Sequence, residues 1–315
     1  MADYKEIIGL DIEAKSANPT DVITGEIWFN TATGKLSYKK PDGAAVWTTG
    51  GDLNVGRRTS GSAGSQTAAL CFSGLDSYAG KTENESYNGT SWTELADINA
   101  SRYNISSFGT TTAAIGAGGY ENNICESWNG SSWTEVNDSN AIDKWRIGVG
   151  ISTAGLMHSG PGTENACESW NGTSWTEVND MNTGRFLTAA AGTLTSALNF
   201  GGSPPYPAGT AATESWNGTS WTEVADLNTN RRALAGSGVD NTSALAFSGF
   251  GPGSSADTEQ WNGSSWTEVN NVNQAATEHM GAGTTADALM FGGFLGNHET
   301  EEFSAVDGTQ TVDDA

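Results

Sequence analysis

The chain has 315 residues and carries 14 Lys and Arg against 37 Asp and Glu, a formal charge of −23. That charge excludes nucleic acid as a partner, because phosphate neutralisation needs a basic footprint, and it disfavours docking on anionic lipid. Twelve Trp, ten Phe and seven Tyr exclude a disordered chain, and no apolar run of about 18 residues offers a membrane span.

The leading residues, Met1 to Glu6, lack the basic and then apolar pattern of a secretory signal. The first 25 residues repeat nowhere else. Gly25 to Leu36 (GEIWFNTATGKL) then reads as a short hairpin. Lys35-Leu36-Ser37-Tyr38 and Ala45-Val46-Trp47-Thr48, separated by Pro41-Asp42-Gly43, read as two further strands, the divergent third and fourth of a blade. Residues 1–44 are thus expected to form an attachment and hairpin segment, and residues 45–315 a second domain.

From Asp52 onward the chain is repetitive, and self-similarity at a fixed period outranks every other signal. The cassette E-S-W-N-G-T-S-W-T-E-V starts, with small changes, at Glu85, Glu126, Glu168, Glu214 and Glu259. Its second aromatic is Trp92, Trp133, Trp175, Trp221 and Trp266, at spacings of 41, 42, 46 and 45. D-x-N or a relative follows each time: Asp97-Ile98-Asn99, Asp138-Ser139-Asn140, Asp180-Met181-Asn182, Asp226-Leu227-Asn228 and Asn271-Val272-Asn273. Asp52-Leu53-Asn54 follows Trp47 in the same way. Five residues after the Asp comes an Arg (Arg57, Arg102, Arg185, Arg231); the third unit has Arg146 further on and the sixth has none. An apolar run ending in Gly-Gly or Ser-Gly completes each of six units.

Each unit reads as four strands: one after the Arg, the apolar run, T-E-S-W-N, and S-W-T-E-V. Asn-Gly between the last two signals a tight type I′ hairpin. Four-stranded units repeated six times without helical periodicity predict an all-β, six-bladed β-propeller. Thr300-Glu301-Glu302-Phe303 matches the third strand of a last blade whose fourth strand has lost its Trp, so Trp47 is expected to close the ring from the N-terminal side. Seven blades follow if residues 25–49 form most of a separate one.

The order Arg, apolar strand, Gly pair, aromatic and Trp resembles the Kelch repeat over residues 45–305, with Trp in place of the usual Tyr. The near-identical W-N-G-[ST]-S-W-T-E cassettes resemble repeats of bacteriophage virion proteins, and the 25–36 hairpin resembles modules of phage tail-fibre and baseplate proteins. The resemblance implies a non-enzymatic virion structural protein, a tail or neck fibre or appendage located in the phage particle. Residues 1–50 would contact other virion proteins, and a host surface glycan or protein would be the external partner, with no nucleic acid and no membrane insertion. The alternatives are a cellular Kelch-type protein-binding scaffold and a carbohydrate-active propeller enzyme.

No cofactor, metal site or catalytic set is expected. His158, His279 and His298 match no metal-ligand spacing and no Ser or Cys constellation, and Cys71, Cys125 and Cys167 make no disulfide framework. The repeated Trp residues, Trp47 included, are expected to pack blade against blade, the Arg set to bridge strands, and Glu94, Glu135, Glu177, Glu223 and Glu268 to form a solvated acidic rim. The repeat is broken in loops on one face, opposite the Asn-Gly turns, and loops on a rigid scaffold are where binding is built. Trp145, Tyr206 and Tyr78 are the aromatics expected to be exposed there.

Overall fold

The computed structural model describes residues 13–15, 27–31, 35–39, 45–76, 79–142, 145–160, 166–204, 208–294, 298–305 and 309–311. Among them there is no helix. The chain divides into two compact units, Trp47–Ser304 and a smaller one made of Met1–Val46 with Ala305–Ala315.

The larger unit is a six-bladed propeller of four-stranded antiparallel sheets. Its first blade is Gly61–Ser65, Ala68–Phe72, Asn84–Tyr87 and Trp92–Glu94; its second is Ser106–Thr110, Ala113–Gly119, Asn122–Trp128 and Trp133–Val136. Blade three is Ile147–Ile151, Ala154–His158, Cys167–Trp170 and Trp175–Val178. Blade four is Ala189–Thr193, Ser196–Phe200, Thr213–Trp216 and Trp221–Glu223, and blade five Ala235–Asp240, Ser243–Phe247, Thr258–Trp261 and Trp266–Val269. The last blade takes Met280–Gly283, Asp287–Phe291 and Thr300–Ser304 from the C-terminal side and Val46–Thr49 from the N-terminal side as its outer strand. Ring closure by Trp47 is therefore as the sequence predicts, and the count is six.

Packing follows from the period of two along each strand. In the third strand, Glu and the final aromatic share a face, and that face is buried: Trp128, Trp170, Trp216 and Trp261 are among the largest fully buried side chains. In four blades a Phe of the second strand then meets the outer Trp of the next blade; in blade two Phe108 of the inner strand faces Trp175, with ring centroids 6.2 Å apart. Phe72 packs on Trp133 (ring centroids 4.6 Å apart), Phe200 on Trp266 (5.0 Å), Phe247 on Trp47 (5.0 Å) and Phe291 on Trp92 (4.9 Å). The same contact thus recurs around the ring and across its closure.

The inner strands of all six blades line a central channel, a cavity of about 190 Å³ walled by Gly, Ala and Ser. Each inner strand carries a Gly at positive φ. In blade four this is Gly192 (φ 123°), where a Cβ would lie 2.2 Å from the Ser196 carbonyl oxygen of the paired strand. Only Gly fits that approach.

Two sequence expectations change. Asn-Gly does not make a two-residue type I′ turn. The strands end at Trp128 and Trp133, leaving four loop residues, and of the Asn-Gly pair only Gly130 takes positive φ. Asn129 instead turns its side chain inward, and Oδ1 accepts the backbone N–H groups of Ser131 (2.9 Å) and Ser132 (3.0 Å). Lys35–Lys39 is not a blade strand. It pairs antiparallel with Ile27–Asn30, as the hairpin expected over 25–36 requires, and on its other edge with Thr309–Thr311. Glu13–Lys15 adds to this sheet in parallel. The larger compact unit ends at Ser304, and the last strand pairs with the N-terminal sheet.

Deleting residues 1–44 leaves the outer strand of blade six in place, whereas deleting 1–50 removes it. Circular-dichroism melting of the propeller should change little in the first case and collapse in the second. Trp47→Ala in the full chain should cost about 3–5 kcal/mol.

Candidate functional site

The polar residues of the repeat converge on one carboxylate per blade. Glu85, Glu126, Glu168, Glu214, Glu259 and Glu301, the first Glu of each cassette, are all buried. Each accepts the backbone N–H of the Asn in the D-x-N segment leading into its blade, at 2.6–2.9 Å in all six units. The side-chain amide of that Asn donates to the same oxygen. In five blades a buried Arg also reaches the carboxylate: Arg57 at 2.9 Å, Arg102 at 2.7 Å, Arg146 at 2.5 Å, Arg185 at 3.3 Å and Arg231 at 2.8 Å. In blade six the place of the Arg falls to the buried Ala276, and the Gln274 N–H donates to Glu301 as the Val55, Ala100 and Thr183 N–H groups donate to Glu85, Glu126 and Glu214.

The residue between Asp and Asn holds the other side of the junction. Leu53 N–H donates to His298 O, Ile98 N–H to Thr82 O, Leu227 N–H to Ala211 O and Val272 N–H to Ala256 O, each in the preceding blade. The crossover is thus stapled to both blades it joins. The repeated Arg side chains are spent inside the blades, and Glu94, Glu135, Glu177, Glu223 and Glu268 stand exposed on the outer strands.

The histidines and cysteines are also absorbed into packing. His158 stands where four blades have Phe and blade two has Ala117, edge-on to Trp221 with ring centroids 5.0 Å apart. Arg185 donates to Asn199 Oδ1 (3.1 Å from Nε), which turns the Asn199 amide N–H toward His158 Nδ1 at 3.1 Å. The imidazole is therefore neutral with its proton on Nε2, and burial pushes its pKa down to about 3. His279 Nδ1 lies 2.8 Å from Ser248 Oγ, a Ser–His pair across two blades that no sequence spacing announced. The Ser248 hydroxyl donates to Ala276 O (2.5 Å), so His279 donates to the serine rather than taking its proton. Burial lowers the His279 pKa to about 4. Cys125 and Cys167 stay thiols; they occupy the strand-three position where Thr213 and Thr300 accept indole N–H bonds from Trp266 (3.2 Å) and Trp92 (3.0 Å). Burial raises the Cys167 pKa to about 12. Among the described residues no three His, Cys, Asp or Glu side chains gather where a metal could sit.

A second cavity, of about 110 Å³, lies at the channel mouth, on the face away from the Asn-Gly turns. Its rim is one residue per blade, just before the inner strand, at Thr59, Asn104, Trp145, Leu187, Ala233 and Glu278. All six adopt positive φ, between 50° and 61°. In four of the blades the N–H turns sideways onto the preceding blade: Asn104 to Thr59 O (2.9 Å), Thr59 to Glu278 O (3.4 Å), Glu278 to Ala233 O (2.9 Å) and Ala233 to Leu187 O (2.8 Å). A left-handed non-Gly residue costs on the order of 1–3 kcal/mol, and such positions cluster at ligand sites.

Of the three aromatics expected on this face, Trp145 is in the rim, half-buried and stacked on Phe186 (centroids 5.2 Å, planes 22° apart). Tyr78 and Tyr206 lie outside the described residues. The six repeat Trp side chains sit away from the mouth, buried between blades. The other rim residues were not legible, because six different side chains share only a backbone angle.

His158 fixes a pH dependence. Its folded pKa lies below its unfolded value near 6.5, so the stability it contributes is complete above about pH 6.5 and is lost as pH falls toward 3. His158→Phe supplies the residue of four other blades, and urea midpoints measured from pH 7 to 4 should fall less steeply than in the parent.

No protein-family model matches the chain, and no curated protein matches it. Among solved structures it is similar to that of YjhT, with a TM-score of 0.68 over 83% of this chain and 99% of that one, at 13% identity. At that identity the likeness is one of fold.

Proposed function

We propose that the protein is a non-catalytic display and binding module of a virion, a Kelch-like propeller in a phage tail or neck appendage. The observation that carries this reading is the allocation of chemistry. The buried acids and bases of the repeat are held in staples, and the side-chain variety is gathered at one channel mouth. A rigid scaffold with a single variable face suits recognition rather than turnover. The chain also enters and leaves the propeller through the same blade, at Val46–Thr49 and Thr300–Ser304, which suits a module held from one edge. The terminal sheet, containing the fibre-like hairpin, is the attachment element in this reading. The virion setting rests on the resemblance of the W-N-G-[ST]-S-W-T-E cassettes and of that hairpin to phage proteins.

Immunogold electron microscopy of the native source with an antibody to this chain tests the proposal. Gold on a phage tail, neck or vertex is the expected result. Label confined to soluble cellular material overturns it and favours a cellular Kelch-type scaffold.

A further inference from the structure

We propose that the channel mouth binds one neutral pyranose ring, which deepens the display reading above by naming the chemistry of its external contact. The rim carries a different residue in each of the six blades, in a repeat whose cassettes are near-identical. Its backbone angle favours Gly or Asn, yet five of the six blades carry other residues there, against a conformational cost. Closing the ring by backbone hydrogen bonds needs only the angle, so the side chains need a separate reason.

Their order around the ring supplies it. Blades three, four and five contribute Trp145, Leu187 and Ala233, one continuous apolar arc. Blades six, one and two contribute Glu278, Thr59 and Asn104, one continuous polar arc. A pyranose has the matching halves, a face of C–H groups and an edge of hydroxyls. The polar arc has groups to offer. Glu278 uses Oε2 to accept from Arg58 Nη1 at 2.7 Å, and among the described residues its Oε1 and the Asn104 side-chain amide make no hydrogen bond. Together they present acceptors and donors, as hydroxyls require.

Charge sets the class. Arg58 neutralises Glu278 and itself stacks on Phe294 at 4.6 Å, so the rim offers no net charge to an ionic ligand. The chain's −23 repels anions further. Size agrees as well. A closed cavity of about 150 Å³ takes benzene, so a mouth of about 110 Å³, open to solvent, seats one six-membered ring with its outer edge in water.

Saturation-transfer NMR on the full chain tests this with the methyl glycosides of glucose, galactose, mannose and N-acetylglucosamine. The variants are Trp145→Gly and Asn104→Gly, both compatible with the left-handed backbone, with thermal melting as the folding control. At least one neutral glycoside should bind at millimolar concentration, and each variant should weaken it about tenfold or more, Asn104→Gly with melting unchanged and Trp145→Gly with a cooperative melt retained. No transfer from any of the four, equal transfer in parent and variants, or binding of glucuronate or N-acetylneuraminate alone overturns the proposal. Its failure is separable from that of the virion reading: gold on particles with no sugar bound leaves display standing without this site, and sugar bound by a soluble cellular protein leaves the site standing without the virion.

Discussion

The propeller depends on a buried carboxylate placed at each blade junction. A Glu inside a sheet-to-sheet interface is costly unless every lone pair finds a donor. Here the crossover segment brings an Asn backbone N–H, an Asn amide and, in five blades, a guanidinium to that group. The requirement runs both ways. The Glu needs the crossover, and the crossover, running from the rim of one blade to the axis of the next, needs a fixed point. Its middle residue is meanwhile bonded to the blade behind. Directional polar bonds therefore set where each blade sits, and the Phe–Trp contacts fill the space so defined.

This division of labour explains tolerance at other positions. The second-strand aromatic can become His158, whose Nδ1 is met by the Asn199 amide while its Nε2 makes no hydrogen bond among the described residues. The indole acceptor on the third strand can be Thr300 or Thr213, and Cys125 and Cys167 occupy the same place. The Arg can shift along the chain to Arg146 or vanish at Ala276, provided the Asn remains. Of the polar side chains of the staple, the Asn and the Glu are present in all six blades and the Arg in five.

Much of this was legible in the sequence. Near-identical cassettes gave the period, the strand count and, through Trp47, the closure of the ring. The hub was harder to see. Glu126 and Glu135 look equivalent in ESWNGSSWTEV, yet the structure buries one and exposes the other. A signal was available: Glu126 lies two residues before Trp128 and so shares its buried face, and an acid there demands the Asn and Arg repeating at fixed offsets. The Asn-Gly turn misled because the Asn side chain, not its backbone angle, caps the loop. Lys35–Lys39 misled because Pro41-Asp42-Gly43 resembles a turn between blade strands, while its real partners are Ile27–Asn30 and Thr309–Thr311. The rim of the mouth had no sequence signature at all. Its six residues share a left-handed conformation, which in four blades turns an N–H onto the preceding blade, and composition carries no trace of that.

The most direct test of the staple is a double-mutant cycle at one junction, read by urea unfolding of the full chain. Arg185→Ala and Glu214→Ala each remove one partner of a fully buried pair. The account predicts that each single variant loses about 3–5 kcal/mol and that the pair couples by about 2 kcal/mol or more, so the double variant loses far less than the sum. Single losses below about 1 kcal/mol, or strictly additive losses, would contradict it and leave aromatic packing as what holds the ring.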